Sequence, residues 1–367
     1  MAMTLDGSNG VTFNDASLQG AAASPYVLKN RIINGAMVID QRNAGASVTP
    51  ANGADTYTTD RWGYYVNQAS KITAQQSTTA PVGFNYSLKT TSSSAYTIGA
   101  GDLFLLSQQI EGYNVADLGF GTANAKTFTL SFWVYSSLTG TFGGSFMNSA
   151  QSRSYPFTYT ISSANTWEQK TITIAGDTTG TWLTTNGRGL GVFFQIGIGS
   201  SFVGTAGSWA NATYFGATGA TNLVATNGAT FYITGVQLEQ NTSATPFERR
   251  LYGQELANCQ RYYEKTYNTD VAPATVTGIG AISTVAYGAY SNRPFLGIQF
   301  KVSKRANPTV TLYSTSGVSG KIEGPSAVDY TAGTQYIGNQ AFQVYQSQTT
   351  STTNGDYYIH FTASAEL

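Results

Sequence analysis

The sequence predicts an all-β protein: an antiparallel sandwich, one linking α-helix, and a second, smaller β-domain towards the C-terminus. The first observation is composition, because the 367-residue chain contains 40 glycines and 13% aromatic residues, a mixture of turn formers and strand formers. The second is that many short segments alternate apolar and polar side chains between Gly, Asn and Asp turns. The third is that only one segment spaces its apolar residues as a helix does. Short strands without long helices between them are typical of an antiparallel sandwich.

A period of two identifies the individual strands. Phe128, Phe132 and Val134 alternate with polar side chains, which indicates a strand with one buried face. The same alternation occurs in three segments: residues 126–137, 155–162 and 168–176. Residues 189–199 form a more continuous apolar run, as in a strand that is covered on both faces. The last strand of the sandwich changes phase at Gly235, which indicates a β-bulge.

The segment from 245 to 266 carries the strongest helical signal. Thr245 and Glu248 have the spacing of a capping box, and Pro246 suits the first helical position. Four residues at helical spacing then form one face: Tyr252, Leu256, Cys259 and Tyr263. Although only 10% of the chain is charged, charged residues are concentrated in and around this segment. The segment therefore predicts a helix that joins two β-rich units.

These patterns divide the chain into four parts: a polar leader at residues 1–30, a sandwich at 31–244, the linking helix at 245–266 and a C-terminal β-domain at 267–367. The leader contains too few apolar residues to bury a core by itself. It either becomes ordered against a partner or another copy of the chain, or is a frayed terminus. The last strand of the C-terminal domain is expected at residues 357–363.

Charge and residue counts exclude several classes of protein. The 19 basic residues balance 19 acidic ones, so no long-range field attracts nucleic acid or an anionic membrane. Cys259 and His360 are the only residues of their kinds, which excludes an intramolecular disulfide framework and any Cys-based or multi-histidine metal site. No signal peptide is recognisable, and no apolar run approaches the ~20 residues of a membrane helix. We therefore expect synthesis in a cytosol and no membrane insertion.

The sequence contains no arrangement typical of a catalytic site. His360 alternates with its neighbours as an ordinary strand residue does, and Cys259 lies on the apolar face of the predicted helix. Glycoside hydrolysis needs two carboxylates about 5–10 Å apart, for which the first β-rich unit offers five candidates: Asp102, Glu111, Asp117, Glu168 and Asp177. Sequence spacing does not bring any two of them together. We expect no enzymatic activity, with a hydrolase as the alternative.

Carbohydrate binding requires a less specific arrangement of side chains than catalysis does. Flat aromatic faces can contact the C–H surfaces of sugars, while polar neighbours bind the hydroxyl groups. Aromatic residues beside polar sequence supply four candidates: Trp167, Trp182, Trp209 and Tyr214. We expect Trp182 and Trp209 to be exposed, because polar, loop-like sequence surrounds both, and Trp62 to be packed in a strand-like segment. The alternative for each candidate is a place in the core, where large aromatic residues of a sandwich usually lie.

Several segments resemble the tail fibre and receptor-binding proteins of tailed bacteriophages. Those of the first β-rich unit are NGAM at 34–37, DRWGYY at 60–65, LSFWVYSSLTGTF at 130–142, TWEQKTITIAGDTTGTW at 166–182 and FYITGVQLEQNTSATPFERR at 231–250. ELANCQRYYEK at 255–265 is similar to the helix that follows this domain in such proteins, and NPTVTLYSTSG at 307–317 to their C-terminal β-domain. The resemblance covers about residues 31–315.

The resemblance implies a non-enzymatic protein of the virion tail. Residues 1–30 would attach to other tail proteins, and a jelly-roll domain at 31–244, similar to carbohydrate-binding modules, would meet host-surface polysaccharide. The family is usually homotrimeric, which makes three residues candidates for contacts between subunits: Tyr252, Leu256 and Tyr263. The alternative is that this face packs on its own sandwich.

The resemblance leaves two further points open. Jelly-roll modules often hold a structural calcium ion, but no ligands for it are assigned in this sequence. The alternative functions are a purely structural tail adaptor or virion decoration protein and, after these, a polysaccharide depolymerase.

Overall fold

The computed structural model describes residues 29–286, 295–346 and 355–367, together with three short strands within residues 1–28. In these ranges the chain forms strands, one α-helix and short 3-10 helices. No helix among the described residues is long and apolar enough to cross a membrane. The predicted attachment segment, residues 1–30, lies largely outside the described residues, and its three strands pair as a small antiparallel sheet.

Strands β1 to β16 precede the α-helix. Their bounds are β1 (Thr4–Asp6), β2 (Gly10–Thr12), β3 (Leu18–Gln19), β4 (Thr56–Tyr57), β5 (Gly63–Val66), β6 (Ile72–Ser77), β7 (Ser87–Ser92), β8 (Leu103–Glu111), β9 (Phe128–Ser136), β10 (Gly140–Met147), β11 (Ser154–Ile161), β12 (Glu168–Ile174), β13 (Arg188–Ile198), β14 (Val203–Gly204), β15 (Gly216–Ala217) and β16 (Thr230–Glu239). The 3-10 helices are Gly112–Asn114, Ala116–Leu118, Ser200–Phe202, Leu223–Ala225 and Pro325–Ala327.

Two antiparallel sheets make the sandwich. One has six strands in the order β11-β10-β13-β8-β5-β4, and the other has five in the order β12-β9-β16-β7-β6. The chain changes sheet at most of its connections, for example from β7 to β8, from β8 to β9 and from β9 to β10, which is the arrangement of a jelly roll. The predicted all-β fold with a jelly-roll sandwich is therefore confirmed.

The core between the sheets comes from the alternating apolar residues. Phe132 of β9 lies 5.2 Å from Phe194 of β13 and 5.0 Å from Tyr159 of β11, measured between ring centroids, so both sheets meet there. Each fully buried side chain of this size contributes about 1.5–3 kcal/mol. Trp62, which was expected to be packed, is buried and donates its indole N–H to the carbonyl of Asn34 at 3.1 Å.

Two finer strand predictions are also confirmed. β13 is buried along almost its whole length, because Phe202 and Phe215 from the following loop cover its outer face. The pairing of β16 with β9 shifts register around Gly235, whose φ of 60° lies in the left-handed region that favours glycine. This bulge allows both Ile233 and Val236 to face the core.

The predicted start of the helix is wrong. The helix α1 spans Tyr252–Gln260, and its N-cap residue, Leu251, makes no side-chain cap. Thr245 instead donates its backbone N–H and its hydroxyl to the carboxylate of Glu239, at 2.9 and 2.7 Å. A buried carboxylate at the end of β16 thus binds the groups that the capping box would have used, so the chain stays non-helical until Leu251.

α1 also ends earlier than predicted and presents a different face. The helix buries three residues: Glu255, Cys259 and Gln260. Glu255 faces inward because its carboxylate accepts the backbone N–H of Asn34. Tyr252 is 54% exposed and Leu256 is half-buried, whereas Tyr263 lies beyond the helix, 7% exposed, with the Arg42 guanidinium 3.8 Å from its ring. The three residues predicted for subunit contacts therefore do not share one exposed face.

The strands after the helix form the second β-rich unit. Their bounds are β17 (Tyr263–Lys265), β18 (Ile282–Ala286), β19 (Phe295–Gln299), β20 (Thr309–Tyr313), β21 (Lys321–Gly324), β22 (Val328–Gln335), β23 (Ala341–Gln346) and β24 (Gly355–Ser364). The final strand, β24, is central and pairs with β17, β18, β20 and β21. This sheet has its own core, with Phe342, Ile359 and Phe361 buried in it. Because β17 belongs to it, the unit begins inside the segment predicted as helix.

Ionic and aromatic contacts join the two β-rich units. The carboxylate of Glu111, at the end of β8, accepts hydrogen bonds from Arg261 at 2.6 and 2.9 Å and from the Tyr262 hydroxyl at 2.8 Å. The Arg61 side chain is buried. Its guanidinium carbon lies 3.5 Å from the centroid of the Tyr262 ring, and the group pairs with the carboxylate of Glu366. Charge-assisted bonds of this kind are stronger than neutral ones. The charge cluster in the sequence therefore lies at a joint, but many of its partners come from distant parts of the chain.

Candidate functional site

Alternation along β8 gives the six-stranded sheet two different faces. The odd-numbered residues from Leu103 to Gln109 point outward, while the even-numbered ones point into the sandwich core. Strand register places Phe193 of β13 opposite Ser107, and Tyr65 of β5 opposite Leu105. The outer face is therefore apolar at one end of β8 and polar at the other.

A cleft of about 380 Å³ lies over this outer face. Four aromatic side chains line it: Tyr65, Phe193, Phe202 and Phe215. Phe215 lies edge-to-face on Phe193, with ring centroids 5.1 Å apart, and 6.0 Å from Phe202. The short parallel pair β14–β15 connects the chain next to Phe202 with the chain next to Phe215 and so shapes this wall. The volume falls within the range of about 300–1,000 Å³ that is typical of small-molecule sites.

Polar groups line the opposite side of the cleft. Arg188 donates to the backbone carbonyls of Asn148 and Ser149, at 3.2 and 2.6 Å, and to the side-chain oxygen of Gln109 at 3.4 Å. Gln109 in turn donates to the hydroxyl of Ser107 at 3.2 Å. Three further polar side chains complete the lining: Asp55, Gln151 and Thr213. Aromatic rings beside convergent donors and acceptors can bind a ring that has apolar C–H faces and hydroxyl groups.

Among the described residues, Arg188 and Asp55 are the only charged side chains that line this cleft. Burial lowers the pKa of Arg188, and the opposite charge of Asp55 acts against that shift. Asp55 is exposed, whereas Arg188 is half-buried. Glu111 is opposite Arg188 in the strand ladder, but its carboxylate is bound to Arg261 and Tyr262. The guanidinium therefore has no carboxylate in direct contact among the described residues.

Gly191 keeps the polar end of the cleft floor open. It lies opposite Gln109 in the sheet, where a Cβ would be 2.7 Å from the Gln109 side-chain oxygen and 2.6 Å from the ring of Phe193. A larger residue would displace one of these side chains. Glycine at this position therefore leaves both the amide and the ring in place.

Trp182 and Trp209, predicted to contact sugars, are brought together away from this cleft. Their rings meet edge-to-face with centroids 5.5 Å apart, and Phe120 lies 4.8 Å from Trp182. Both indole N–H groups are bonded, to the carbonyls of Thr179 at 3.1 Å and Ala175 at 2.8 Å. Both rings are half-buried against the edge of the sandwich core. They are thus less exposed than expected, because they close the edge of the core, and their role in sugar binding stays a prediction.

The other two predicted sugar-binding residues lie elsewhere. Trp167 packs 5.5 Å from Tyr135 and 6.3 Å from Tyr232, on the outer side of the five-stranded sheet. Tyr214 is half-buried, and its backbone N–H donates to the hydroxyl of Ser154 at 3.3 Å. The four candidates are therefore distributed over separate surfaces and do not form one site.

Sequence reasoning did not identify the cleft. Its lining comes from short stretches near residues 55, 65, 103–109, 188–193 and 202–215, which the sequence does not show to be neighbours. One signal did exist: Arg188 is the only charged residue between Thr178 and Leu238. A single charge at the start of an otherwise apolar strand is unusual and marks a position that needs a specific partner.

The five carboxylates considered for hydrolysis are held by separate partners. Asp177 forms a bidentate pair with Arg153 at 2.6 and 2.7 Å, and Glu111 belongs to the joint described above. The remaining three have partners of their own: Asp102 with Tyr96 and Gln68, Asp117 with Arg31, and Glu168 with Lys170. None of the five lines the cleft, where Asp55 is the only carboxylate side chain in the part of the chain that the structure describes.

His360 and Cys259 both lie in packed surroundings. His360 is buried and stacked 3.9 Å from the ring of Tyr267, with Nδ1 2.9 Å from the Thr266 hydroxyl and Nε2 2.9 Å from the Thr277 carbonyl. Burial raises the pKa of the Cys259 thiol, which is opposite to the shift of an activated nucleophile. Among the described residues, no group of three or more His, Cys, Asp or Glu side chains could hold a metal ion.

Comparison with known proteins finds similar solved structures at low identity. A putative sugar binding protein from Bacteroides thetaiotaomicron is 12% identical over 58% of this chain and 100% of that chain, with a TM-score of 0.33. The family 11 carbohydrate-binding module from Clostridium thermocellum, solved with a β-1,3-1,4-mixed-linked tetrasaccharide, is 10% identical over 54% and 98%, with a TM-score of 0.28. The enzymatically active domain of tailspike protein 4 from bacteriophage CBA120 is 15% identical over 60% of this chain, with a TM-score of 0.30.

The chain spans 22% of the length of that tailspike structure. No family model and no curated protein matches the sequence. At these TM-scores the likeness shows a similar fold and says nothing about a ligand.

Proposed function

We propose that this chain is a carbohydrate-binding protein and that the cleft over the six-stranded sheet is its glycan site. The observation that carries the proposal is the combination of aromatic and polar walls in one cleft. Tyr65 and Phe202 are half-buried, so their rings retain surface for a sugar to contact. On the other side, Gln109 and Arg188 offer amide and guanidinium groups that can bind hydroxyl groups.

We also propose that the cleft does not hydrolyse glycosides. Retaining and inverting glycosidases both use two carboxylates on either side of the scissile bond. The cleft has one carboxylate side chain, Asp55, and the carboxylates considered earlier are held elsewhere by their own partners. Incubation with host polysaccharide, followed by measurement of reducing ends, tests this directly. A time-dependent release of reducing ends would favour the depolymerase alternative.

We further propose, from the sequence resemblance, that the protein belongs to the tail of a bacteriophage virion and binds host-surface polysaccharide there. Residues 1–30 would connect it to other tail proteins, and the working assembly would be a homotrimer made in the host cytoplasm. The joint around Glu111 and Arg261 supports a structural role, because it holds the two β-rich units together through charge-assisted bonds. Of the predicted subunit contacts, Tyr252 is the exposed one.

Glycan binding can be tested by titration calorimetry of the full chain with oligosaccharides from host envelopes. Tyr65→Ala should weaken binding by about tenfold, because it removes an aromatic contact of roughly 1.5 kcal/mol. Tyr113→Ala is the matched control, since it removes an exposed aromatic ring that does not line the cleft. It should leave the affinity unchanged.

The same titrations separate the competing proposals. If Trp182→Ala abolishes binding and Tyr65→Ala does not, the glycan site is the aromatic cluster around Trp182 and the assignment of the cleft is wrong. If the unaltered chain binds no polysaccharide from any permissive host, the structural adaptor or decoration protein becomes the better function. Light scattering of the full chain and of Tyr252→Glu tests the trimer.

A further inference from the structure

The guanidinium of Arg188 is held in place by neutral groups. Its three hydrogen bonds go to two backbone carbonyls, of Asn148 and Ser149, and to the amide of Gln109. An arginine has five N–H donors, so two remain without a partner among the described residues. Because the carbonyl bonds fix the plane of the group, the remaining donors are preorganised beside the cleft.

The positive charge of Arg188 is not matched by a contacting anion. Among the described residues it forms no ion pair, and the nearby Glu111 is bound to Arg261 and Tyr262. Asp55 is the charged group that opposes the effect of burial on Arg188, yet its side chain is exposed and makes no ion pair with Arg188. A half-buried cation without a contacting counterion is costly, and a bound anion removes that cost.

The charge of the cleft limits which anion fits. Nη2 of Arg188 donates to both carbonyls, so the free N–H groups are on Nε and Nη1. They lie on different edges of the guanidinium, and a carboxylate can accept one charge-assisted hydrogen bond from either of them. A doubly charged phosphomonoester would leave one negative charge unmatched, in the same cleft as Asp55. A singly charged carboxylate avoids this, while Asp55 can accept hydrogen bonds from sugar hydroxyls.

We propose that the cleft selects acidic glycans and that Arg188 binds the carboxylate of a uronic acid or of another sugar acid. This inference rests on the proposed carbohydrate-binding function. Tyr65 and Phe202 contact the sugar ring, and Arg188 determines the preference for the acidic over the neutral form of the same sugar.

The experiment uses the full chain and matched pairs of ligands. Uronic-acid-containing oligosaccharides are compared by calorimetry with the same oligosaccharides after chemical reduction of each carboxylate to a hydroxymethyl group. The acidic form should bind at least tenfold more tightly than the reduced form. Arg188→Gln should bring this ratio close to one, whereas Tyr65→Ala should weaken both forms and keep the ratio.

Two controls keep the test decisive. Arg188→Lys preserves the charge but loses the guanidinium's bonds to the two carbonyls, so it should retain part of the preference and rule out a general loss of fold. Asp55→Asn should preserve the preference for the acidic sugar, since Asp55 is not the group that binds the carboxylate. Equal affinity of the unaltered chain for acidic and reduced forms would overturn this inference and leave the carbohydrate-binding function standing. Binding of neither form would instead count against the proposed function itself.

Discussion

The buried ion pair between Glu264 and Lys304 provides the sharpest test of how the second β-rich unit is stabilised. Both side chains are almost fully buried, and the Lys304 ammonium lies 2.7 Å from a carboxylate oxygen of Glu264. Lys304 also donates to the carbonyl of Val302 at 2.9 Å. At this separation, an effective dielectric constant of about 20 gives an attraction of about 6 kcal/mol. Removing one partner of such a pair typically costs about 3–5 kcal/mol.

We therefore expect Glu264→Gln to lower the free energy of unfolding by about 3 kcal/mol, the lower end of that range, because glutamine keeps one acceptor oxygen. Lys304→Met should cost less, since Glu264 still accepts the backbone N–H of Lys301 at 3.0 Å. The double variant should lose less free energy of unfolding than the two single variants lose in total. The difference should be about 0.5–3 kcal/mol.

Urea unfolding followed by far-UV circular dichroism measures these changes. All five tryptophans lie in the sandwich, so a tryptophan fluorescence curve followed in parallel shows whether the second unit unfolds separately. The partly exposed pair of Arg31 and Asp117 supplies the control, and Asp117→Asn should cost less than about 1 kcal/mol. If Glu264→Gln costs no more than this control, the reasoning about the buried pair is wrong.

Three further changes test other parts of the structure. Tyr159→Phe should be neutral or stabilise by up to about 1 kcal/mol in urea unfolding, because the buried Tyr159 hydroxyl has no hydrogen-bond partner among the described residues; a clear loss of stability would show that this hydroxyl is bonded. Burial lowers the pKa of His360 in the folded state, so the unfolded chain takes up the proton first. The free energy of unfolding should fall as the pH drops through about 6.5, the ordinary pKa of histidine. His360→Gln should make the free energy of unfolding depend less on pH in this range; an unchanged dependence would contradict this assignment to His360. Gly191→Ala should weaken glycan binding and lower the free energy of unfolding by about 1–3 kcal/mol, because its Cβ displaces Gln109 or the buried ring of Phe193; full binding by this variant would show that the floor adapts.

Local patterns in the sequence predicted much of the fold. The inward side of β9, the doubly covered strand β13 and the bulge at Gly235 depend on periodicity and on the backbone freedom of glycine, which a few neighbouring residues determine. The packed state of Trp62 follows from the strand-like segment around it. These features needed no knowledge of distant contacts.

The start of the helix shows where such reasoning fails. Thr245, Pro246 and Glu248 satisfy the local rules for a cap. However, Thr245 donates to the buried carboxylate of Glu239, and the backbone N–H of Glu248 donates to the side-chain oxygen of Gln237. A capping box stabilises a helix by only about 1 kcal/mol. Buried tertiary hydrogen bonds to a charged group are stronger than that and therefore decide the outcome.

By itself, the sequence determined the all-β class, the faces of most strands and the position of a charged joint, because these depend on residues that are close together in the chain. Only the tertiary structure decided where the helix begins, which partners the joint charges take and where the cleft lies. Tyr65, Gln109, Arg188 and Phe215 become neighbours through strand register and loop packing. Register depends on the whole sheet, so no local pattern in the sequence could have shown that they form one site.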